Sequence, residues 1–397
     1  MKKRKLKPWV VIAGILMVLI LSLDRIEVFI KENTIPNYRE LNKIGYNDDQ
    51  IEVINEHGLE ELSEILVEDY KEDIVEMLTV PHYANLREIG YSKTDLETIL
   101  LADESILAKL EGYVFLNRWK TYLAEPMYRL ILDTGYSETA GDVLLGLSDE
   151  TIKNITALGY DAKYEALVTS ELTILNDLPT YLTYWKKVPN ATLRVVQERV
   201  NTETDRSYYT GIIPAETSKG NLILVNKYFN LSSQFVPSAL TTITVCGKAV
   251  MTKEAALALS AMCKAMIADG LHPKVTSSYR SYATQNTLYN RYVANDGKAE
   301  ADTYSARPGH SEHQTGLAVD IITSTSSLST FKNTKEYAWL MENAEDYGFI
   351  LRYTESKQAI TGYISEAWHW LYVGIEIAKD FNTKNMTFDE YYRIYLE

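Results

Sequence analysis

The chain has 397 residues, of which 46% are apolar, so it is long enough for two or three domains and too apolar to be disordered as a whole. Its 40 basic and 54 acidic residues give a net charge of −14, which argues against nucleic acid as a partner because nucleic-acid-binding proteins usually carry a basic surface. Two cysteines, Cys246 and Cys263, are too few for a disulfide-built scaffold or a cysteine-ligated zinc module. Any metal must therefore be held by histidine and carboxylate.

The N-terminus has the pattern of a membrane-targeting segment. Five basic side chains in residues 1–7 precede an uncharged apolar run of 16 residues, 8–23. The alternatives are a cleaved signal peptide and a retained anchor, and the sequence after the run is a poor cleavage site, which favours the anchor. We therefore predict a cytoplasmic basic tail, 1–7, and a transmembrane signal anchor, 8–23. Because basic residues stay on the cytoplasmic side, the rest of this single-pass cell-membrane protein is expected on the extracellular, cell-wall side.

Residues 36–200 are predicted to form an all-α repeat region with a period of about 45 residues. The copies share a Pro that begins a helix, a Gly-Tyr pair that ends it, and an N-cap residue that begins the next helix. These positions are Pro36, Gly45, Tyr46 and Asn47; Pro81, Gly90, Tyr91 and Ser92; Pro126, Gly135, Tyr136 and Ser137; and, in a broken copy, Gly159, Tyr160 and Asp161. Stacked helical hairpins follow from this pattern, serving either as a spacer, which we favour, or as a surface that binds wall polymer or a partner protein.

The composition changes after Asp205, and residues 205–397 are predicted to form a domain of mixed α and β structure. The expected elements are a short apolar strand over 221–226, an amphipathic helix over 252–268, a strand over 274–279 and a helix over 282–293. Cys246 and Cys263 lie in this domain, 17 residues apart, and either form a disulfide or leave Cys263 buried as a free thiol on the helix.

The segment 311–321 carries the first two candidate metal ligands. Gly316 permits a tight turn, after which Asp320 lies on a strand rich in apolar residues. A buried carboxylate needs a cation or hydrogen bonds, and His313 across the turn makes a metal plausible. His310, three residues before His313, could compete as the ligand.

The second segment is Glu-Ala-Trp-His-Trp, 366–370. On a strand, Trp368 and Trp370 share one face and His369 points to the other. A bend before His369 would bring Glu366 near a metal without binding it, as a general base requires. Two histidines and one carboxylate leave the fourth position of zinc for water, which is typical of a catalytic site.

Together these motifs resemble VanY-type D-alanyl-D-alanine carboxypeptidases over about residues 205–395. The motifs are Ser-x-His-x-x-Gly-x-Ala-x-Asp at 311–320, Glu-x-Trp-His-Trp at 366–370, Tyr-Arg-Ser-Tyr at 279–282 and Leu-Val-Asn-Lys at 224–227. The resemblance implies an α+β zinc-peptidase domain with a small antiparallel sheet flanked by helices, of the lysostaphin, D-Ala-D-Ala peptidase and hedgehog fold group. This domain would follow the membrane helix and the helical repeats.

The resemblance also implies the reaction, removal of the C-terminal D-alanine from peptidoglycan stem peptides. It assigns zinc to His313, Asp320 and His369, and makes Glu366 the general base that acts on zinc-activated water. It further implies three residues that contact the substrate. These are Arg280, which would also stabilise the polarised carbonyl, Ser311 and, as a weaker candidate, Gln285.

Three other functions need to be weighed. The same fold and zinc site would serve an L,D-carboxypeptidase acting on tetrapeptide stems. A non-catalytic cell-wall-binding protein would have little use for Glu366 beside three ligands. A serine carboxypeptidase would use Ser-x-x-Lys, which Ser329 and Lys332 match, but the chain lacks the Lys-Thr-Gly that accompanies it.

Overall fold

The computed structural model describes residues 17, 20, 23, 25–58, 62–65, 70–113 and 115–397. The chain divides into two compact units, Met1–Gly141 and Asp142–Glu397. The first unit is helical throughout its described part, and the second combines helices with small sheets. This confirms the predicted mixed fold with a small sheet and many helices.

Most of the predicted membrane anchor, 8–23, lies outside the described residues, which include only 17, 20 and 23 of this segment. In the part of the chain that the structure describes, no helix combines the length and the apolar character needed to cross a bilayer.

The first unit consists of short helices joined by tight turns. Residues 25–34 are helical. The helices that follow are Tyr38–Ile44, Asp48–His57, Leu62–Ile65, Ile74–Thr79, Tyr83–Ile89, Lys93–Asp103, Ile106–Leu110, Trp119–Ala124, Pro126–Thr134 and Glu138–Leu144, the last of which contains the boundary between the units.

The repeat landmarks lie at equivalent positions in these helices. Gly45 and Gly90 end their helices with φ angles of 126° and 123°, which glycine adopts most easily. Tyr46 and Tyr91, which follow them, are fully buried. The hydroxyl of Tyr46 accepts a hydrogen bond from the backbone N–H of Lys71 at 3.2 Å, and that of Tyr91 accepts one from Leu116 at 3.1 Å. The period in the sequence therefore corresponds to a repeated packing unit.

The second unit begins with helices that the sequence places in the repeat region. They are Asp149–Thr156, Ala162–Thr169, Leu178–Lys187 and Leu193–Asn201, with a 3-10 turn over Leu175–Asp177. Polar contacts tie the last helix to later segments. Arg194 pairs with Glu390, Glu198 pairs with Lys357 at 2.6 Å, and Arg199 donates to the carbonyl of Ala359 at 2.8 Å. These helices thus form one compact unit with the metal-ligand segments.

Eight strands form three small sheets in this unit. They are β1 Ile213–Pro214, β2 Phe229–Asn230, β3 Leu240–Ile243, β4 Ala249–Thr252, β5 Pro273–Ser277, β6 Ala318–Thr323, β7 Phe349–Leu351 and β8 His369–Tyr372. The central sheet has the strand order β5-β6-β8-β7, and each pair of adjacent strands is antiparallel. All four residues of β8 and most of β6 are buried, so both faces of the sheet are covered.

Helices and turns surround the central sheet. The α-helices are Lys253–Ala268, Tyr282–Asp296, Lys298–Tyr304, Lys335–Asn343, Gln358–Thr361, Ile375–Asn382 and Phe388–Tyr391, and a π-helix follows over Tyr392–Leu396. The 3-10 turns are Thr217–Leu222, Glu312–Thr315, Phe331–Asn333, Ala344–Tyr347 and Glu355–Lys357. The helices predicted over 252–268 and 282–293 are therefore present, and the second continues to Asp296.

The strand predicted over 221–226 is wrong. The 3-10 turn Thr217–Leu222 covers its start, and the following residues pair with no strand in the described chain. The side-chain oxygen of Asn226 accepts hydrogen bonds from the N–H groups of Tyr228 and Phe229, which turns the chain. The apolar run is buried outside any sheet: Ile223 and Val225 pack in a small cluster with Leu231, and Leu224 belongs to the main core of the unit.

Cys246 and Cys263 form a disulfide. Cys246 lies in the β3–β4 turn and Cys263 on the helix Lys253–Ala268, so the bridge fastens this hairpin to the helix that covers it. Both residues are buried in the core of the second unit.

Replacing both cysteines by alanine is expected to lower the free energy of unfolding by about 3 kcal/mol, because the loop closed by the bridge spans 17 residues and its closure restricts the unfolded chain. Urea denaturation of the wild-type protein and the double variant, each with and without reductant, measures the difference. Reductant should destabilise only the wild-type protein. Equal midpoints for all four samples would contradict the prediction.

Candidate active site

The central sheet brings Asp320 and His369 together. Asp320 on β6 and His369, the first residue of β8, are directly paired across the two strands. Cross-strand partners point to the same side of a sheet, so the two side chains meet. Oδ1 of Asp320 lies 3.2 Å from Nδ1 of His369. The predicted bend before His369 is present, since its N–H donates to the carbonyl of Glu366 at 3.1 Å.

His313 reaches the same point from the 3-10 turn that precedes β6. Gly316 ends this turn in the left-handed region, with φ of 71°, and a Cβ there would meet atoms at 3.2–3.3 Å. The turn places Nε2 of His313 at 3.3 Å from Oδ2 of Asp320. The donor atoms of His313, Asp320 and His369 all lie within 4.8 Å of one another. The structure therefore brings together the three residues predicted to hold the metal.

The two imidazoles offer different nitrogens to this cluster. Nδ1 of His313 lies 2.8 Å from the carbonyl oxygen of Ser278, which leaves Nε2 facing Asp320. In His369 the arrangement is reversed: Nε2 lies 3.0 Å from Oε2 of Glu312, and Nδ1 faces Asp320. Each ring thus has one nitrogen engaged by an acceptor outside the cluster and one directed at its centre.

The donor set fits a metal ion. Asp320 is only 8% exposed, and its Oδ1 accepts no hydrogen bond from any described residue, although Nδ1 of His369 is close. A buried carboxylate oxygen without a partner is costly, and a cation at the centre of the cluster would satisfy it. Two imidazole nitrogens and one carboxylate are the ligands of many catalytic zinc sites.

Glu366 lies beside the cluster and outside it. Its Oε2 is 3.7 Å from Nδ1 of His369, and the side chain lines the same cavity. Burial raises the pKa of the Glu366 carboxyl to about 8; the charges of His369 and Arg280 oppose this shift, and those of Asp320 and Glu312 add to it. A carboxyl with a pKa in this range can both accept and return a proton near neutral pH.

Arg280 occupies the end of the segment that follows β5. Its guanidinium donates to Oε1 of Gln285 and to the hydroxyl of Ser277, both at 2.7 Å, and lies 3.9 Å from Oδ2 of Asp320. Gln285 in turn donates to the carbonyl of Ala306. Gln285 is buried, contacts the guanidinium of Arg280 and does not line the cavity, and its predicted contact with a substrate stays a prediction.

A cavity of about 310 Å³ opens in front of these groups. Its polar wall includes the three clustered residues together with Glu366, Arg280 and Ser311. The remaining wall is largely apolar and aromatic. It comprises Leu288, Tyr292, Tyr304, Ala306, Leu328, Tyr353, Tyr363, Ile364 and Trp368, together with the polar residues Ser305, His310 and Glu312. A small peptide end with one negative charge would match this combination of a fixed cation and apolar surface.

The comparisons with known proteins agree with this site. The family model of VanY, D-alanyl-D-alanine carboxypeptidase, matches residues 248–375, which include every residue of the cluster and Glu366. Putative carboxypeptidase YodJ of Bacillus subtilis (strain 168) is 36% identical over 192 residues, which are 46% of this chain and 70% of that protein. The chain belongs to the VanY family. The predicted resemblance and the predicted enzyme class, a carboxypeptidase, are thereby confirmed.

Two further proteins match part of this chain. A D-alanyl-D-alanine carboxypeptidase of Enterococcus faecalis (strain ATCC 700802 / V583) is 41% identical over 133 residues, 31% of this chain and 48% of the relative. The second is the vancomycin-resistance D,D-pentapeptidase VanY, whose crystal structure is of a mutant in complex with Zn(II). Its sequence is 35% identical, and the match covers 43% of this chain and 98% of the VanY chain, with a TM-score of 0.39.

The other residues that the sequence offered as metal ligand or nucleophile lie outside the metal-binding cluster. His310 lines the cavity, but its Nδ1 lies 2.7 Å from the carbonyl oxygen of Asn226, and it is not part of the metal-binding cluster. Ser329 and Lys332, the Ser-x-x-Lys match, are exposed at a turn, where the Ser329 hydroxyl contacts that of Ser327. No cluster of nucleophile and base forms at this turn among the described residues.

Binding of a divalent metal should release protons. Burial alone would lower the pKa of His369, but the neighbouring carboxylates of Asp320 and Glu312 raise it to about 10, so the metal-free ring is protonated at pH 7. Burial lowers the pKa of His313, which stays neutral. Because a ligand must be deprotonated, we expect about one proton from His369 and an apparent affinity that rises with pH. A nearby cation also favours the charged form of Glu366, so up to a second proton should come from its carboxyl.

Calorimetry of zinc binding at pH 7, in buffers that differ in ionisation enthalpy, measures this release. In Glu366→Gln, zinc binding should still release the proton that comes from His369, but the release that comes from the Glu366 carboxyl should be absent. Binding without net proton release in the wild-type protein would contradict the expected protonation of His369.

Proposed function

We propose that this protein is a zinc-dependent carboxypeptidase that removes the C-terminal D-alanine from peptidoglycan stem peptides. The observation that carries the proposal is the convergence of His313, Asp320 and His369 on one point, with Glu366 and Arg280 on the wall of the same cavity. Membership of the VanY family supports the substrate class.

The cofactor is zinc, which would be held by His313, Asp320 and His369, whose donor atoms face one another. When bound, zinc polarises a carbonyl and lowers the pKa of water to about 7, which is the chemistry that amide hydrolysis at neutral pH needs. Asp320 supports both histidines, since its two oxygens lie 3.3 and 3.2 Å from their nitrogens.

The other side chains bind the substrate and move the proton. Arg280, fixed by Gln285 and Ser277, presents a positive charge to the terminal carboxylate or to the negative charge that develops on the carbonyl oxygen. Glu366 acts as the general base that takes the proton from water and returns it to the leaving amine. Ser311 is positioned on the wall to contact the substrate terminus.

Mass analysis of products from purified pentapeptide and tetrapeptide stems tests the proposal. We expect release of one D-alanine from the pentapeptide, loss of activity with a chelator, recovery with zinc, and insensitivity to penicillin. Release from the tetrapeptide alone would make the protein an L,D-carboxypeptidase. Zinc binding without hydrolysis of either stem would favour a non-catalytic cell-wall-binding protein.

We propose that residues 8–23 anchor the protein in the cell membrane and that the catalytic domain lies on the cell-wall side. The basic residues in 1–7 support this orientation, and the Cys246–Cys263 disulfide is typical of an oxidising compartment. Protease added to intact protoplasts should digest the catalytic domain. Protection of the domain until the cells are lysed would contradict the orientation.

We propose that the helical repeats are a spacer between membrane and enzyme. Their large apolar side chains, such as Tyr46 and Tyr91, are used for packing within the unit. A sedimentation assay of residues 25–141 with purified peptidoglycan distinguishes a spacer, which stays in solution, from a surface that binds wall polymer.

A further inference from the structure

Glu312 contacts His369 on the side of the ring that faces away from the cluster. Its Oε2 lies 3.0 Å from Nε2 of His369, while the opposite ring nitrogen faces Asp320. The side chain of Glu312 is 1% exposed, so water does not compete for this contact. Sequence patterns did not indicate a role for this residue, which lies between Ser311 and His313 at a position that the motif leaves unspecified.

Arg352 holds Glu312 in place. Its Nε donates to Oε1 of Glu312 at 2.5 Å, and its Nη1 lies 2.9 Å from Oδ2 of Asp389. The guanidinium lies over the rings of Tyr353 and Phe388, at 4.9 and 5.7 Å from their centroids. An arginine that is 1% exposed and engaged by two carboxylates has little freedom to move, so it fixes the direction in which Glu312 points.

The network continues to the cavity wall. Oδ1 of Asp389 accepts a hydrogen bond from Nδ2 of Asn226 at 2.6 Å, and the carbonyl of Asn226 lies 2.7 Å from Nδ1 of His310. Asp389 itself lies on the C-terminal helix Phe388–Tyr391. A buried chain of polar contacts therefore connects one metal-binding histidine to a segment near the end of the protein.

We propose that Glu312 is a positioning residue that fixes the ring of His369 so that Nδ1, and not Nε2, binds the metal. The proposal rests on the metal site of the proposed function. Glu312 accepts the hydrogen bond of Nε2–H, and the lone pair of Nδ1 then points into the cluster. Arg352 balances the charge of Glu312 and keeps this carboxylate from acting as a second base in the cavity.

The partner of the other histidine makes the role specific. His313 is oriented by the neutral carbonyl of Ser278, whereas His369 is oriented by a carboxylate. A charged acceptor increases the basicity of the ligand more than a carbonyl does, so loss of Glu312 should affect metal binding strongly. Loss of such an outer partner typically weakens metal binding about 10- to 100-fold.

The test compares Glu312→Gln with Glu390→Gln in the full-length protein. Glu390 is a matched control because it is also buried and is paired with an arginine, Arg194, and not with a metal-binding residue. We expect the apparent zinc dissociation constant to rise about 10- to 100-fold in Glu312→Gln and to stay unchanged in Glu390→Gln, although both variants lose stability. Chelator competition gives the constants, and urea denaturation gives the stabilities.

A second measurement uses only the wild-type protein, so its result does not depend on whether a variant folds. In zinc-loaded protein with ¹⁵N-labelled histidine, His369 should show a metal-bound Nδ1 and a slowly exchanging Nε2–H. A metal-bound Nε2 would overturn the proposal, as would equal zinc affinity in wild-type and Glu312→Gln proteins or equal weakening in both variants. Failure of the wild-type protein to bind zinc would instead overturn the proposed function.

Discussion

Replacing Glu366 by glutamine is expected to lower kcat by about 10²- to 10⁴-fold, the usual contribution of a general base, while the zinc content stays unchanged. Glutamine has nearly the same shape, but it cannot accept a proton from water. Because Glu366 lies beside His369 and is not one of the three clustered ligands, its loss should leave the metal in place. The measurement is D-alanine release together with metal analysis of the same sample.

Glu336→Gln is the control for this substitution. Glu336 is also buried, and it accepts a hydrogen bond from the backbone N–H of His272, which lies outside the cavity. The amide oxygen of glutamine can accept the same hydrogen bond, so this variant should keep its activity. Retained turnover in Glu366→Gln would remove Glu366 from the mechanism, and loss of zinc from that variant would make it a metal ligand.

The sequence predicted the centre of the site because its residues lie in two compact segments. The alternation of apolar residues before Asp320 predicted a buried strand, and a buried carboxylate near His313 implied a cation. The structure adds the strand register that pairs Asp320 with His369 across β6 and β8. Register depends on long-range pairing, and it could not be read from either segment alone.

The outer contacts of the site could not be predicted in the same way. Glu312, Arg352 and Asp389 come from three separate segments, and none of them lies in a pattern that indicates a partner. An arginine after an apolar strand usually reaches solvent, whereas Arg352 is buried between two carboxylates. Only the packing of the C-terminal helix on the sheet brings these charges together.

The error at 221–226 has a related cause. A short apolar run is compatible with a strand or with a buried loop, and periodicity does not distinguish them. Here the side-chain oxygen of Asn226 accepts hydrogen bonds from two backbone N–H groups and turns the chain, so the run is buried without a strand partner. The sequence also left the pairing of Cys246 and Cys263 undecided, because a spacing of 17 residues does not fix the distance between two thiols.

Asp320→Asn is expected to abolish activity by loss of the metal. Asparagine keeps the shape of the side chain, but it removes the negative charge that lies between His313 and His369. Zinc affinity should fall by more than the roughly 10- to 100-fold that is typical of residues that only support ligands. Chelator competition measures the affinity. Asp73→Asn is the control, since Asp73 is buried and paired with Arg87 in the other unit.

The metal-free protein gives a second, independent result for Asp320. Burial would raise the pKa of this carboxyl, but its interactions with the neighbouring His313 and His369 rings outweigh burial and hold the pKa below its ordinary value of 3.8. A lowered pKa stabilises the fold at pH values above 3.8, and this contribution is lost as the pH falls below that value. Metal-free wild-type protein should therefore be more stable than Asp320→Asn at pH 7, by a margin that shrinks in acid. Urea denaturation at pH 7 and at a pH below 3.8 measures this margin. A margin that stayed constant between the two would contradict the ion-pair role.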